Sequence, residues 1–340
     1  MEVWASMDQR MGLAAVAAHA RRAEALGYTG LNVPDAVHDG LLLAHAALSA
    51  TSTLRVATSV LVAFPRSPMN VAHAAWDLQG CSNGRFELGL GSQVRGNIVG
   101  RYSTPWSAPI PRMREYVGAL RAIFACWQDD ARLRFEGDHY RFTRMQPFFD
   151  PGPLEGGPPP IHIGAVGPLM TALAGEVADG LMCHPTNSSP RYLREVVLPR
   201  VAAGAARAGR ASADVVLMVS ELIATGADAP AVAAARAKAR ETLAFVLSTP
   251  AYWPSLALYS WQDAGERLHA MSRAGEWQAM PTAISDEMLD AFVPSAAYPE
   301  IAALLAERFA GLAGRIPFPL PESSADEPAA RAAIEALRGG

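Results

Sequence analysis

The feature that most constrains this chain is a repeat of short apolar strand, turn and helix that runs almost from end to end. Residues 1–5 (MEVWA), 31–33, 55–64 (RVATSVLVAF), 86–90, 161–166, 181–184, 215–224 and 315–318 read as eight short strands, apolar almost throughout. Between or after them, 13–26 (LAAVAAHARRAEAL), 41–49, 70–79, 111–127, 170–177, 192–208, 230–245 and 301–309 carry apolar residues at helical spacing. The punctuation agrees. Gly27 closes the first helix, Pro65 and Pro68 stop the third strand, and Asn83-Gly84 is a turn. Pro111 and Pro230 open helices, where the missing N–H costs nothing. Strands apolar on both faces and alternating with helices predict a parallel sheet covered on both sides. Eight units over this length predict a closed (β/α)8 TIM barrel in preference to an open sheet.

Two stretches depart from the repeat. Residues 129–160 form an aromatic, Pro- and Gly-rich insertion before strand five, and 249–295 form another before strand eight. The second carries Tyr252, Trp253, Tyr259, Trp261 and Trp277. Insertions after barrel strands sit over the catalytic face, so this one reads either as a lid or as packing on neighbouring helices. Length alone would allow two domains, but α/β barrels of this size form one unit. We therefore place a single barrel domain at 1–320 and a surface helix with a frayed tail at 321–340.

Composition narrows the class of function. Of 340 residues half are hydrophobic, and Lys+Arg 29 against Asp+Glu 33 leaves a formal charge of -4. No run of like charge marks a nucleic-acid stripe, so nucleic acid is not expected as a partner. Cys81, Cys126 and Cys183 form no CxxC pair and read as reduced thiols. The eight histidines are scattered, and no metal site is expected. The opening MEVWASMDQR lacks the basic-then-apolar order of a signal peptide, and no stretch of about 18 uninterrupted apolar residues spans a bilayer. The expectation is a cytoplasmic protein with no membrane partner.

In a parallel barrel the chemistry lies at the carboxyl ends of the strands. Asp35, His38 and Asp39 follow strand two, and Pro65 and Arg66 follow strand three. Gly89, Gly91 and Ser92 mark the end of strand four, Gly164 to Pro168 (GAVGP) the end of strand five, and Cys183-His184 the end of strand six. A glycine turn leading into a helix exposes N–H groups to an anion such as phosphate; glycine there is also ordinary turn chemistry. Val94 stands where a third glycine would complete a dinucleotide fingerprint, which argues against a Rossmann site. His38 beside carboxylates is a proton donor or acceptor, or else a solvated loop histidine. His184 is either a site residue or a satisfied core histidine. His73, Trp76 and Asp77 lie on a helix and read as packing or capping groups. Arg95, Arg101, Arg112 and Arg114 are within reach of an anionic group or simply meet water.

Five segments, AFPRSPMNVAHAAWDLQ (63–79), NGRFELGLGSQVRGNIVGRYSTPW (83–106), PRMREYVGALRAIF (111–124), IGAVGPLMTALAGEVADGLMCHP (163–185) and YLREVVLPRV (192–201), together resemble one family. It is the bacterial-luciferase-like flavin-dependent superfamily, in its branch of deazaflavin (coenzyme F420)-dependent oxidoreductases. The resemblance covers most of the chain and implies an insertion-bearing (β/α)8 barrel with the cofactor across its mouth. It implies a bulged third strand at Ser59-Val60, often a non-proline cis peptide in the family, with Leu61 and Val62 beside it. Gly164, Ala165, Val166, Gly167 and Pro168 match the segment whose backbone receives the cofactor phosphate. Gly89, Gly91 and Ser92 match the strand-four edge near the ring system, Asp35 matches a carboxylate beside the cofactor, and His184 is placed with the cofactor-binding set. Trp106, Tyr252 and Trp253 are assigned to the aromatic lip of a substrate pocket.

Some members carry His directly after that Asp and Glu after strand four. Here Ala36 and Val94 occupy those positions, so the acid–base machinery of the sugar-phosphate dehydrogenase relatives is absent. AFVPSAAYPEIAALL also lacks the glycine usual before the last helix, which alters an anion site or only a turn. His38 is then the expected proton donor, oriented by Asp39. The function implied is hydride delivery from reduced F420 to an electron-poor C=C or C=N bond of a small molecule or modified peptide. The alternatives are an FMN-dependent monooxygenase of the same superfamily and a non-catalytic cofactor- or partner-binding barrel. A homodimer is expected from the resemblance.

Overall fold

The structure, a computed structural model, describes residues 1–339. Its strands are β1 (Glu2–Ser6), β2 (Gly30–Val33), β3 (Arg55–Thr58), β4 (Leu61–Val62), β5 (Phe86–Gly91), β6 (Phe135–Glu136), β7 (Arg141–Phe142), β8 (Ile161–Ala165), β9 (Gly180–Cys183), β10 (Val216–Met218), β11 (Ala224–Gly226), β12 (Ser295–Ala297) and β13 (Arg315–Pro317). The order β3-β2-β1-β13-β10-β9-β8-β5-β4, with β3 also paired to β5, closes a parallel barrel of eight strand positions. β3 and β4 are two halves of the third position, separated at Ser59-Val60, whose peptide is cis. The (β/α)8 barrel expected from the repeat is the fold.

The helices are α1 (Leu13–Ala25), α2 (Gly40–Ser49), α3 (Pro68–Cys81), α4 (Arg95–Gly100), α5 (Pro109–Asp129), α6 (Pro168–Val177), α7 (Pro190–Tyr192), α8 (Leu198–Arg207), α9 (Ala229–Leu247), α10 (Pro254–Ala257), α11 (Gln262–Ala274), α12 (Asp286–Phe292), α13 (Tyr298–Phe309) and α14 (Glu327–Gly339). A single π turn, Leu193–Val197, joins α7 to α8. The outer ring is α1, α2, α3, α5, α6, α7 with α8, α13 and α14.

Successive strand residues face opposite sides, and the two faces do different work. Val3, Leu31, Val56, Phe86, Leu88, Leu90, Ile163 and Leu181 are buried against the helices in the main core. Trp4, Ala57, Met182 and Met218 form a separate cluster with Val60 and Val216, which is the filling of the barrel itself. That filling leaves no room for more. A Cβ on Gly30 would stand 2.6 Å from the Trp4 ring, and one on Gly89 would stand 2.0 Å from the Thr58 carbonyl.

Below it, at the amino ends of the strands, Glu87 accepts hydrogen bonds from Arg55, from Arg315 and from His162 Nε2 at 2.6 Å. Burial opposes ionisation of Glu87, but His162 and Arg315 outweigh it and hold the carboxyl down at about 2. The floor of the barrel is thus a paired charge layer, and the rim lies at the opposite end.

The structure revises four expectations. Strand seven does not run through 215–224. β10 ends at Met218, and the chain then leaves the barrel to pair β11 with β12 in a separate two-stranded sheet. The helix expected as the seventh, here α9, belongs to the insertion, which spans 219–297 rather than 249–295. It has its own core of Leu243, Leu247, Leu256, Leu268, Leu289 and Phe292. The barrel's seventh helix is α13 and its eighth is α14, which the sequence reading had set outside the barrel. In α14, Ala330, Ala333, Ile334 and Leu337 are buried on one face at helical spacing, and the helix packs on α13 and β1. Arg338 Nη1 donates to the Gly27 carbonyl at 2.7 Å, and Arg22 Nε donates to Glu327 at 2.8 Å.

The 129–160 insertion lies between α5 and β8, as its place before strand five implied, and runs along the outside of α3 and α5. There Trp76 Nε1 donates to the Gly152 carbonyl, and Tyr140 packs edge-on to Tyr116. Among the described residues no helix is long and apolar enough to cross a membrane, and no group of three or more His, Cys, Asp or Glu is placed to hold a metal ion.

Candidate active site

At the rim, a two-residue step beyond β2 puts Asp35 into the gap between α2 and the broken third strand. Its carboxylate is fully used. Oδ1 accepts from the Gly40 amide at 3.0 Å and Arg66 Nη2 at 3.2 Å, and Oδ2 accepts from the Val62 amide at 2.9 Å and Arg66 Nη1 at 2.8 Å. Arg66 Nη1 also donates to the Val62 carbonyl, and Nη2 donates to Asp39 Oδ2, both at 3.0 Å. Asp39 Oδ1 caps α2 by accepting from the Leu41 and Leu42 amides. Burial opposes charge on Asp39, but Arg66 and the α2 amides lower its carboxyl below the ordinary value.

These contacts correct two expectations. Asp39 holds α2 and Arg66 instead of orienting His38, and Asp35, expected as a carboxylate beside the cofactor, is spent on clamping β4. His38 itself is exposed and makes no hydrogen bond among the described residues. Its Nε2 lies 3.9 Å from where a Gly12 Cβ would stand, across the loop that follows β1.

The clamped segment crosses the mouth. A Cβ on Gly91 would stand 2.4 Å from Val60 Cγ2, and one on Gly164 would stand 2.8 Å from Val60 Cγ1. Those two glycines, expected near the cofactor ring and its phosphate, are seats for the Val60 side chain. Ser59 and Val60 are half-exposed, whereas Leu61 and Val62 are buried in the main core and offer the rim only main chain. Gly89 lies deeper, its amide and carbonyl both hydrogen-bonded to Thr58 Oγ1 at 2.9 Å. Ser92 is half-buried at the end of β5.

Next along the rim, β8 runs through Gly164 and Ala165 to Val166, Gly167 and Pro168 at the start of α6. Gly167 is exposed, its Cβ would meet nothing within 4 Å, and no side chain caps the helix. First-turn amides have no partner inside a helix, so Leu169 and Met170 present uncapped N–H groups at the positive end of the dipole.

β9 ends at Cys183, and His184 follows. The His184 amide donates to Asn187 Oδ1 at 2.6 Å, and Asn187 Nδ2 donates to the Ala165 carbonyl at 3.0 Å, tying the ends of β8 and β9 together. The His184 ring stacks on Tyr252 with centroids 4.4 Å apart and planes 11° from parallel. Burial pushes its pKa down to about 4.

The remaining aromatic assignments divide. Tyr252 meets the rim. Trp253 turns into the insertion core, where Nε1 donates to the Leu247 carbonyl and the ring presses on Gly265, so it lines no pocket at the mouth. Trp106 lies edge-on to Phe64 at 6.3 Å, partly buried against the main core. Tyr259 and Trp261 stack on each other against Phe292, so most of the insertion's aromatics pack internally.

Three working residues escaped sequence reasoning. Arg66 stood beside Pro65 with no role attached, and Asn187 carries no local signal. Glu221 is a lone acid inside the run 215–224, a usable sign that the strand ends earlier. It is bound at both oxygens by Arg308, at 2.7 and 2.8 Å, which fastens the exit of β10 to α13. The rim thus combines an uncharged ledge, an open helix N-terminus, one exposed histidine and one held histidine.

Comparison with known proteins gives this geometry a family. The model of the luciferase-like monooxygenases matches residues 2–315. An uncharacterized protein of Mycobacterium tuberculosis is 44% identical over 290 residues, 85% of each chain. The F420-dependent glucose-6-phosphate dehydrogenase of Intrasporangium calvum is 28% identical over 302 residues, covering 84% of this chain and 82% of that one. Among solved structures, the coenzyme F420 dependent tetrahydromethanopterin reductase of Methanopyrus kandleri superposes with a TM-score of 0.80 over 99% of this chain and 98% of that one, at 16% identity. By the match of nearly its whole length, this chain belongs to the luciferase-like monooxygenase family.

Proposed function

We propose that the protein is an F420-dependent reductase that delivers hydride from reduced F420 to an electron-poor C=C or C=N bond. The observation that carries this reading is the ledge. Val60, seated on Gly91 and Gly164, makes an uncharged shelf across the mouth, and the open α6 N-terminus stands on the same rim. A flat ring with a phosphate-bearing tail needs such a pair of features. The residues present fit the group, and the likeness to an F420-dependent dehydrogenase supports the choice.

When bound, the deazaflavin supplies hydride at its ring carbon. The chain does the rest. Val60 and Ser59 would carry the ring, and Asp35 with Arg66 keep that segment from shifting. The Leu169 and Met170 amides hold the phosphate. Tyr252 narrows the mouth against water, and His38 supplies the proton from its imidazole nitrogen. The reading extends to a small-molecule or modified-peptide substrate, a homodimer and a cytoplasmic location.

A second reading, an FMN-dependent monooxygenase, is favoured by the description of the family whose model matches. The test is to titrate purified protein with F420 and FMN side by side, following fluorescence quenching. It continues with anaerobic turnover of reduced F420 against enone and imine acceptors. Tight F420 binding with weak FMN supports the reductase. The reverse preference with oxygen uptake moves the assignment to the monooxygenase, and binding of neither refutes both.

A further inference from the structure

We infer that His184 is a fixed hydrogen-bond donor, through Nε2–H, to the carbonyl oxygen of an uncharged conjugated carbonyl substrate. The inference rests on the reductase reading and narrows its substrate class.

The tautomer follows from geometry. The Thr186 backbone N–H points at His184 Nδ1 at 3.4 Å, and the Thr186 hydroxyl lies 2.9 Å from the same atom. With the lone pair on Nδ1, the ring accepts from the Thr186 backbone N–H, which can only donate, and from the hydroxyl as well, whereas the opposite tautomer turns an N–H towards that backbone donor. The proton of the neutral ring is then on Nε2. Burial keeps the ring neutral, which agrees.

The residue is also held from every other side. Its amide is bound by Asn187, and its carbonyl accepts from Ser188 Oγ at 2.9 Å. That oxygen in turn accepts from the Ser220 amide at 3.0 Å, linking the ends of β9 and β10. Tyr252 covers one ring face. Such framing is what a preorganised donor needs, because it has no reorientation left to make during the reaction. Yet Nε2 has no hydrogen-bond partner among the described residues, and it is not among the polar atoms sealed from solvent. A framed, half-buried donor left open at the carboxyl end of a barrel strand is arranged for a ligand acceptor.

The acceptor's charge follows from the neighbours. A neutral imidazole brings no charge to balance a phosphate or carboxylate. Arg191, on the helix that follows β9, is paired with Glu195, Arg308 on α13 with Glu221, and Arg66, across the rim after β4, with Asp35 and Asp39. An uncharged carbonyl conjugated to C=C suits this wall. Hydride from reduced F420 forms the new C–H bond at the β carbon, and the C=C π pair shifts to leave an enolate oxygen. Nε2–H stabilises that oxygen without releasing its proton. A proton from His38, the acid of the reductase reading, then adds at the α carbon, restoring C=O.

The experiment uses the full chain and two variants. His184→Phe keeps a stacking ring and removes the donor, whereas His184→Gln keeps an N–H donor. In the unliganded wild type, ¹⁵N NMR of the imidazole at neutral pH should show the proton on Nε2. A proton on Nδ1, or a charged ring, overturns the inference. With 2-cyclohexenone as acceptor, His184→Phe should lower kcat about 10²–10³-fold, in the range for loss of one oxyanion donor. His184→Gln should recover part of the loss. An unchanged kcat in His184→Phe, or wild-type turnover of imines but of no enone, also overturns it. Failure of F420 to bind defeats the reductase reading alone. The donor is then decided by the tautomer and by cyclohexenone affinity in His184→Phe, measured by saturation-transfer NMR, where no weakening counts against it.

Discussion

Replacing Arg66 by alanine tests whether the mouth is held by a clamp or merely decorated by charges. The substitution removes both guanidinium contacts from Asp35, a carboxylate whose side chain is 5% exposed, and leaves it only the Gly40 and Val62 amides. Breaking a buried ion pair from one side costs about 3–5 kcal/mol, because the remaining charge is uncompensated. The surviving amides and the 22% exposure of Arg66 put the expected loss at the low end, about 3 kcal/mol. The Asp39 contact, 42% exposed on the acid side, adds little. With an unfolding entropy of about 2 cal/mol/K per residue over 340 residues, the melting temperature should fall by about 4 °C.

Because Arg66 binds the Val62 carbonyl and braces the Asp35 that binds the Val62 amide, F420 affinity should fall about tenfold, the equivalent of one lost contact to a charged group worth ~1.5 kcal/mol. Arg66→Lys should lie between, since one ammonium cannot span both oxygens and the Val62 carbonyl. Arg121→Ala is the control. Its pair with Asp179 is 45% and 38% exposed and should cost less than about 1 kcal/mol. Calorimetric unfolding and the fluorescence titration read both effects. An Arg66→Ala protein that melts within about 1 °C of the parent and binds F420 unchanged would refute the clamp.

Three further outcomes follow from the packing. Glu87 has a folded-state pKa of about 2 against an ordinary 4.5, so its contribution is present above about 4.5 and lost as pH falls towards 2. That loss is on the order of 3 kcal/mol; Glu87→Gln should remove this part of the acid dependence in pH-resolved melts, and an unaltered acid limb would discount the charged floor. Gly91→Ala places a methyl 2.4 Å from Val60 Cγ2; it should destabilise by about 1–3 kcal/mol and weaken F420 binding, and a neutral result would mean the ledge moves freely. Ile334→Ala in α14 should cost about 2–5 kcal/mol, since Ile334 is fully buried; a cost near zero would restore the picture of a frayed tail.

The barrel was legible because its evidence is repeated and local. Runs such as FELGLG (86–91) and IHIGA (161–165), apolar but for Glu87 and His162, leave no polar face for solvent, and a parallel sheet under helices accepts them. Candidate site residues were legible only as positions, since strand ends fall on one rim whatever their side chains do. Pairing was hidden. Asp39 and His38 are adjacent in sequence, yet Asp39 is drawn to the α2 amides and to Arg66, 27 residues away.

Helix identity was hidden for a related reason. α9 and α14 are both amphipathic, and nothing local tells a helix which sheet edge will receive it. The chain determined alone that eight strands would be buried on both faces, that glycine would stand at 89, 91 and 164, and that the rim would carry Asp35, His38 and His184. Only the tertiary structure decided that Val60 fills the space over Gly91 and Gly164, that Asp35 is consumed by Arg66, and that α14 completes the ring. The physical reason is range. Periodicity and turn chemistry act within a few residues, whereas ion pairs, ring stacking and the volume of one side chain against another are settled only when distant segments meet.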